Sequence, residues 1–315
     1  MSSTRFKKTP LHYLEFVALK AFCVLFALLP YRFSIAISQT LMGWAAVFFP
    51  NRFKRMQYDI HRAFPEKSPQ QVRQIAVESW RNMGTILAEF IQLTHLSPEA
   101  FKKHVHVMGF EKIQQAEGTT GGIIHIGHFT NWEAFGLAAS VFGADKAVLA
   151  QRADNPFIDK EMNRLRNIFG GHTFYSNHED RPFFAAMRWL KKKKFIGILI
   201  DQNASSSQVW LPFMGRIAAF SPITALLSIK MQVPVFPVQV RREQDGTLIC
   251  DVKDPLFPPV VYNAENTRLF TRKLIEFYET CLKEDPASWL WAHNLWKREA
   301  EGMRYLEQNP LERVQ

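Results

Sequence analysis

Cysteine is scarce in this chain. Cys23, Cys250 and Cys281 are odd in number and far apart in 315 residues. They form no disulfide framework and no C-x-x-C pair, which points to a compartment where disulfides are not needed. G-x-S-x-G, the P-loop and G-x-G-x-x-G are also missing, so a serine esterase or a nucleotide enzyme lacks its usual signal. There is no zinc-finger spacing, no basic-region heptad and no cluster at metal-ligand spacing. Nucleic acid therefore ranks behind lipid and acidic protein as a partner. The chain has no internal repeat, low-complexity stretch or obvious linker, so a single catalytic domain is the simplest organisation.

Long uninterrupted apolar runs are missing too. Leu11 to Leu29 is strongly apolar but carries Glu15 and Lys20, and the clean part, Ala21 to Leu29, is far too short to cross a bilayer. Pro30-Tyr31-Arg32 breaks the run. A second stretch, Phe33 to Phe49, ends at Pro50 and the basic run Arg52-Phe-Lys-Arg55. A cleaved signal peptide does not fit, because the small-residue site Ser34-Ile-Ala36 opens more apolar chain. The reading adopted is two apolar helices that dip into one leaflet, flanked by basic residues including Arg5, Lys7 and Lys8. A single spanning anchor and two ordinary core helices are the alternatives.

Positive charge and aromatic rings are abundant. The net charge is +10 and the pI about 9.5, with 27 Phe and 8 Trp. Such a surface attracts anionic lipid or an acidic protein. The four-lysine run Lys191 to Lys194 reads as a solvated helix end, or as a dock for such a partner.

Ser68-Pro69 starts a helix over 68–96 in the capped manner. From residue 104 short apolar runs alternate with helical patterns. Strands are expected at 104–108, 122–126, 146–150, 195–200, 235–240 and 248–252. Helices are expected at 132–142, 155–169, 181–192, 222–230 and 265–283. This alternation predicts an α/β fold: a mostly parallel central sheet flanked by helices, with an N-terminal helical membrane-facing extension. The division expected is 1–60 for the membrane-associating segment and 61–315 for the catalytic domain.

One segment concentrates chemistry. Gly121-Gly-Ile-Ile-His-Ile126 reads as a buried strand, Gly127 turns the chain, and Thr130-Asn-Trp-Glu133 opens a helix. His128 thus falls at a strand-to-helix junction, where open α/β sheets place ligands. An imidazole with a nearby carboxylate makes a base and an orienting group, which would give His128 the proton of an attacking hydroxyl and Glu133 the other ring nitrogen. Spacing alone is weak support. A chain with 10 His and 29 acidic residues holds about one such pair by chance, and this one holds three: His61/Glu66, His106/Glu111 and His128/Glu133. A capping box, Thr130-x-x-Glu133, also explains the glutamate. His125, inside the apolar strand, reads as a satisfied core residue, and His293 similarly.

The wider pattern decides between these readings. Gly127-His-x-x-x-Trp-Glu133 resembles the His-x4-Asp/Glu motif of glycerolipid-type acyltransferases, and more closely the bacterial late lipid A acyltransferases (lauroyl and myristoyl transferases). The likeness covers nearly the whole chain. Asp59-Ile-His-Arg-Ala-Phe-Pro65 stands where that family has Asn first. Asn82-Met-Gly84 with Glu89, Arg152-x-x-Asn155-Pro156, Asn163-Arg164-x-Arg166, Ile200-Asp201-Gln202, Pro212-Phe213-Met-Gly215 and Trp289-Leu-Trp-Ala-His293 all fit, whereas Asn294 replaces a common Arg.

The resemblance implies acyl transfer from an acyl thioester, on acyl-carrier protein or CoA, to a hydroxyl of a lipid A precursor. It implies no cofactor, an apolar channel for the chain, and the cytoplasmic face of the inner membrane. His128 and Glu133 are then the catalytic pair. Asn131, Trp132, Arg152, Arg164, Asp201, Gln202, Phe213, Gly215 and Arg216 are candidate substrate-binding residues, with Arg164 near the pair and Phe213 to Arg216 offering amides and a guanidinium to a phosphate. A solvent-facing arginine is the other reading of Arg164 and Arg152, and a polar turn between a strand and a helix that of 213–216. Other glycolipid or lysophospholipid acceptors, a non-catalytic membrane scaffold, and a thioesterase using water are the alternatives.

Overall fold

The computed structural model of the protein describes residues 9–175, 182–204 and 208–312. Arg5, Lys7, Lys8 and the expected helix start at Arg181 lie outside them. Four helices come first: α1 (Pro10–Leu28), α2 (Tyr31–Phe48), α3 (Pro50–Ala63) and α4 (Pro69–Leu93). The capping box that starts α4 is Ser68 with Gln71, each side chain bonded to the other's backbone N–H. Then α5 (Pro98–His104) leads to β1 (Val105–Met108), α6 (Phe110–Ala116), β2 (Gly122–Ile126), α7 (Trp132–Val141), β3 (Lys146–Ala150), α8 (Pro156–Arg166) and β4 (His172–Tyr175). After α9 (Pro182–Lys191) come β5 (Phe195–Ile198), β6 (Val209–Phe213), β7 (Arg216–Phe220), α10 (Ile223–Met231), β8 (Val235–Arg242), β9 (Leu248–Val252), α11 (Ala264–Glu284) and α12 (Glu299–Gln308).

The predicted α/β class is correct. Seven strands form one sheet in the order β1-β9-β8-β2-β5-β3-β4. Every neighbouring pair is parallel except β8 with β9. Side chains alternate across the sheet, and the core divides accordingly. Ile123, Ile196 and Ile198 face a cluster with α3, α4, α10 and α11. Ile124, Ile126 and Phe195 face the other cluster, with α5 and α7. β4 and the separate hairpin β6–β7 were not expected from the sequence. Both are short and carry no clean alternation.

β2 and β5 are neighbours, with Gly122 opposite Phe195 and His125 opposite Ile198. Carried three residues past the last pair, that register sets His128 level with Asp201. The chain order of the strands hides this, because β3, α8, β4 and α9 lie between them.

α1 is long and apolar enough to cross a membrane, and α2 meets α3 at a 100° bend around Phe49–Pro50. Leu14, Val17, Leu25 and Leu28 on α1, and Phe33, Ile37, Trp44 and Phe48 on α2, are exposed. The two charges that interrupt α1 are both engaged with α8 and its cap. Glu15 accepts from Asn155 at 2.8 Å, and Lys20 donates to Glu161 at 3.0 Å.

His125 is a core residue, as the sequence reading held. Its Nε2 pairs with the Leu274 carbonyl at 3.1 Å and its ring stacks on Tyr278. Burial outweighs that hydrogen bond and holds the imidazole at about 4. The unfolded chain binds this proton near pH 6.5, but the folded chain does not until about pH 4. Stability is therefore full above about pH 6.5 and falls as pH drops toward 4, by up to about 3 kcal/mol from this group. Urea unfolding at pH 7.5 and pH 5 should show about 2 kcal/mol of that loss, and His125→Gln should reduce the difference between the two pH values. An equal loss in the variant would show that His125 is not its source.

Candidate active site

His128 follows β2 and Asp201 follows β5, so two adjacent strands deliver them at the carboxyl edge of the sheet, where such folds bind ligands. The His128 Nδ1 lies 2.7 Å from one Asp201 oxygen. The other oxygen accepts the His128 backbone N–H at 2.7 Å and the Trp289 indole N–H at 2.9 Å. Burial of Asp201 opposes its charge. The His128 ring, its two hydrogen bonds and the indole outweigh burial and hold the carboxyl below its ordinary value. An ionised Asp201 fixes the proton of His128 on Nδ1, leaving Nε2 as the basic nitrogen. The Gln202 amide donates to Nε2 at 3.1 Å, and the Trp132 ring stands edge-on to the imidazole.

The loop that carries His128 is clamped. Phe129 and Trp289 form an antiparallel bridge. Thr130 N–H donates to Ser288, and Leu290 N–H to the His128 carbonyl. Ser79 on α4 donates to the Trp289 carbonyl at 2.6 Å. Thr130 holds a left-handed conformation, φ 48°. For a β-branched residue this costs about 1–3 kcal/mol and persists only when neighbours enforce it. Gly127, by contrast, is not left-handed. A Cβ there would meet the Phe129 ring at 2.6 Å and Tyr278 at 2.9 Å, so glycine is required by close packing rather than by the turn.

His128 opens onto a cavity of about 620 Å³ between the sheet and α7, walled by Ile124, Ile126, Val148, Leu199, Trp132 and Phe135 among others. Its size is typical of a small-molecule site. Glu133 and Arg166 also line it. They form a forked pair, with guanidinium-to-carboxylate distances of 2.6, 3.0 and 3.1 Å. Burial opposes the Arg166 cation, but Glu133 outweighs it and keeps the guanidinium firmly charged.

The family model of the bacterial lipid A biosynthesis acyltransferases matches residues 3–298. The chain belongs to that family. The lipid A biosynthesis lauroyltransferase of Escherichia coli strain K12 is 27% identical over 285 residues, covering 87% of this chain and 89% of that protein. Lipid A biosynthesis acyltransferase 2 of Shigella flexneri is 25% identical over 256 residues, covering 78% and 77%. The solved 1-acyl-sn-glycerophosphate acyltransferase of Thermotoga maritima aligns over 82% of this chain and 99% of that one, with 13% identity and a TM-score of 0.37.

Within this acyltransferase several expected roles change. Glu133 does not orient His128, whose Nδ1 is turned to Asp201. Nor is Glu133 half of a capping box: the cap of α7 is Asn131, whose side chain accepts from Ala134 N–H. Asn131 also donates to buried Glu89, so it is committed to holding the helix start. Arg164 is exposed and bonded to Glu161. Two residues on a helix differ by about 200°, so Arg166 faces the cavity and Arg164 faces away. Arg152 lies over the Tyr175 ring at 4.5 Å, beyond the end of β3.

The phosphate reading of Phe213 to Arg216 also fails. Phe213 is fully buried against Phe220, Trp289 and Trp296. Met214 and Gly215, both at positive φ, make the two-residue turn of the hairpin. Arg216 is buried, bonded to Asp59 at 2.7 Å and to Glu299, with its guanidinium over Trp296. Trp132, Asp201 and Gln202 remain at the site. Arg166, Lys146 and the second role of Trp289 were missed as site features, although Arg166 and Trp289 both lay in quoted motifs.

Arg216→Met strips the buried Asp59 of its main partner. It should lower the unfolding free energy by about 3–5 kcal/mol, measured by chemical denaturation, while kcat per folded molecule stays within about twofold. A large kcat loss in folded protein would return Arg216 to the site.

Proposed function

We propose that His128 Nε2 removes the proton from a hydroxyl of a lipid A precursor as that oxygen attacks an acyl thioester, carried by acyl-carrier protein or CoA. The observation behind this is the His128–Asp201 contact at 2.7 Å beside a cavity walled in part by Ile124, Ile126, Val148, Leu199 and Phe135. Asp201 is a positioning residue: it fixes the tautomer and stabilises the imidazolium. No serine or cysteine is needed as nucleophile, because the acceptor brings its own oxygen. The N-terminal amides of α7 and the Arg166 guanidinium supply positive potential for the oxyanion of the tetrahedral intermediate. As it collapses, the carbon–sulfur bond breaks and the imidazolium returns its proton to the leaving thiolate. The acyl chain occupies the cavity.

The exposed apolar faces of α1 and α2 support a seat on a membrane. The cytoplasmic face of the inner membrane is proposed because acyl thioesters are made in the cytoplasm. The three buried free thiols accord with that compartment.

The test is transfer from acyl thioesters to a panel of lipid A precursors. His128→Ala should lose at least about 10²-fold in kcat, and equal transfer by both proteins would dismiss the base. Asp201→Asn should drop kcat by on the order of 10³-fold with KM within twofold. A rise in KM at constant kcat would make Asp201 a binding residue instead. Free fatty acid released at the same rate without acceptor would favour the thioesterase.

A further inference from the structure

Gly136, Gly197 and Lys146 lie along the cavity. Gly197 stands at the middle of its sheet wall, level with Ile124 on β2 and Val148 on β3. Gly136 on α7 lines the opposite wall, and a Cβ built there meets nothing within 4 Å. The two positions without side chains thus leave the middle of the cavity open. Lys146 lines its far end, at the start of β3 and 3% exposed. Strand rise puts Lys146 about 13 Å from Ala150 at the mouth. On the helix wall, Ala139 is about 10 Å from Trp132.

A buried ammonium makes an unfavourable neighbour for a methyl terminus, since it must keep its polar partners or lose its charge. The Lys146 Nζ donates to the Arg166 carbonyl at 3.1 Å. Burial already lowers it to about 8, with Glu133 opposing and Arg166 adding to that shift. An apolar chain that reached this end would strip the lysine further.

We propose that Gly136, Gly197 and Lys146 set the length of the acyl chain this enzyme accepts, the glycines keeping the channel open and the lysine ending it. The proposal rests on the acyl chain occupying the cavity below His128.

The experiment is competition between saturated acyl donors in steps of two carbons, run once as acyl-carrier-protein thioesters and once as CoA thioesters, each time in one reaction with a lipid A precursor. Product ratios within each variant cancel any difference in folded protein. Gly136→Leu puts a good helix former where glycine faces open space, and a circular-dichroism melt checks its fold. Gly136→Leu and Gly197→Val should shift the preferred donor to shorter chains, by about 10-fold or more in relative kcat/KM. Lys146→Ala should shift it to longer chains. Unchanged length profiles in all three variants, whatever their absolute rates, would overturn the gauge and leave the acyltransferase reading intact. Failure of the wild type to transfer from any donor would remove the cavity assignment and the gauge together.

Discussion

Asp201 has almost no solvent to share its charge. Its side chain is fully buried, and its oxygens take three donors from two segments: the backbone and ring of His128, and the indole of Trp289. An unpaired carboxylate at that depth costs several kcal/mol. The carboxylate therefore acts as a folding constraint before it acts in chemistry. The β2–α7 loop and the segment 288–290 must both close on it, and closing them aligns the imidazole. The Phe129–Trp289 bridge and the α4 contacts of Ser79 and Asn82 brace the same junction. Together they offset the strain at Thr130, which sits within two residues of the ring it helps to aim.

The two acidic residues near His128 divide the work by where their elements point. Glu133 is in the first turn of α7 and reaches toward the end of α8, so its carboxylate is filled by the Arg166 fork. Asp201 comes from the neighbouring strand, level with His128 by register. The Lys146–Arg166 contact then links the start of β3 to the end of α8, and the Arg166 fork carries the link on to Glu133 on α7. The cavity is lined by both apolar and polar residues, and of its charged groups Glu133 and Arg166 pair with each other while Lys146 donates to a backbone carbonyl. The Glu133 fork keeps Arg166 cationic without solvent, whereas burial pulls Lys146 down to about 8.

Much of this was legible in the sequence, for identifiable reasons. β2 and α7 are marked by an apolar run, then by polar residues at a helix start, and His128 falls between them. Asp201 stands in the Ile200-Asp201-Gln202 motif, directly after the strand expected at 195–200. Its partner was not legible, because adjacency of β2 and β5 is a property of strand order, and a fivefold spacing to Glu133 offered a local answer. Arg164 and Arg166 are indistinguishable by composition and separate only through the phase of α8. The Met214–Gly215 turn looked like an anion loop because glycine serves either purpose, and only the hairpin pairing of β6 with β7 shows which one it serves.

The N-terminal helices extend the same lesson to the membrane. Glu15 and Lys20 look like flaws in an apolar segment. Both nonetheless bond to the α8 region, at Asn155 and Glu161, while Leu14, Val17, Leu25 and Leu28 are exposed. A helix held at two points along α8 cannot leave the domain as a free anchor without breaking both contacts. Lipid covering its outer face would therefore fix α8 relative to the bilayer, and α8 ends at Arg166. The distance of the cavity from such a surface would then be set by side-chain pairing on one helix rather than by the flexibility of a linker.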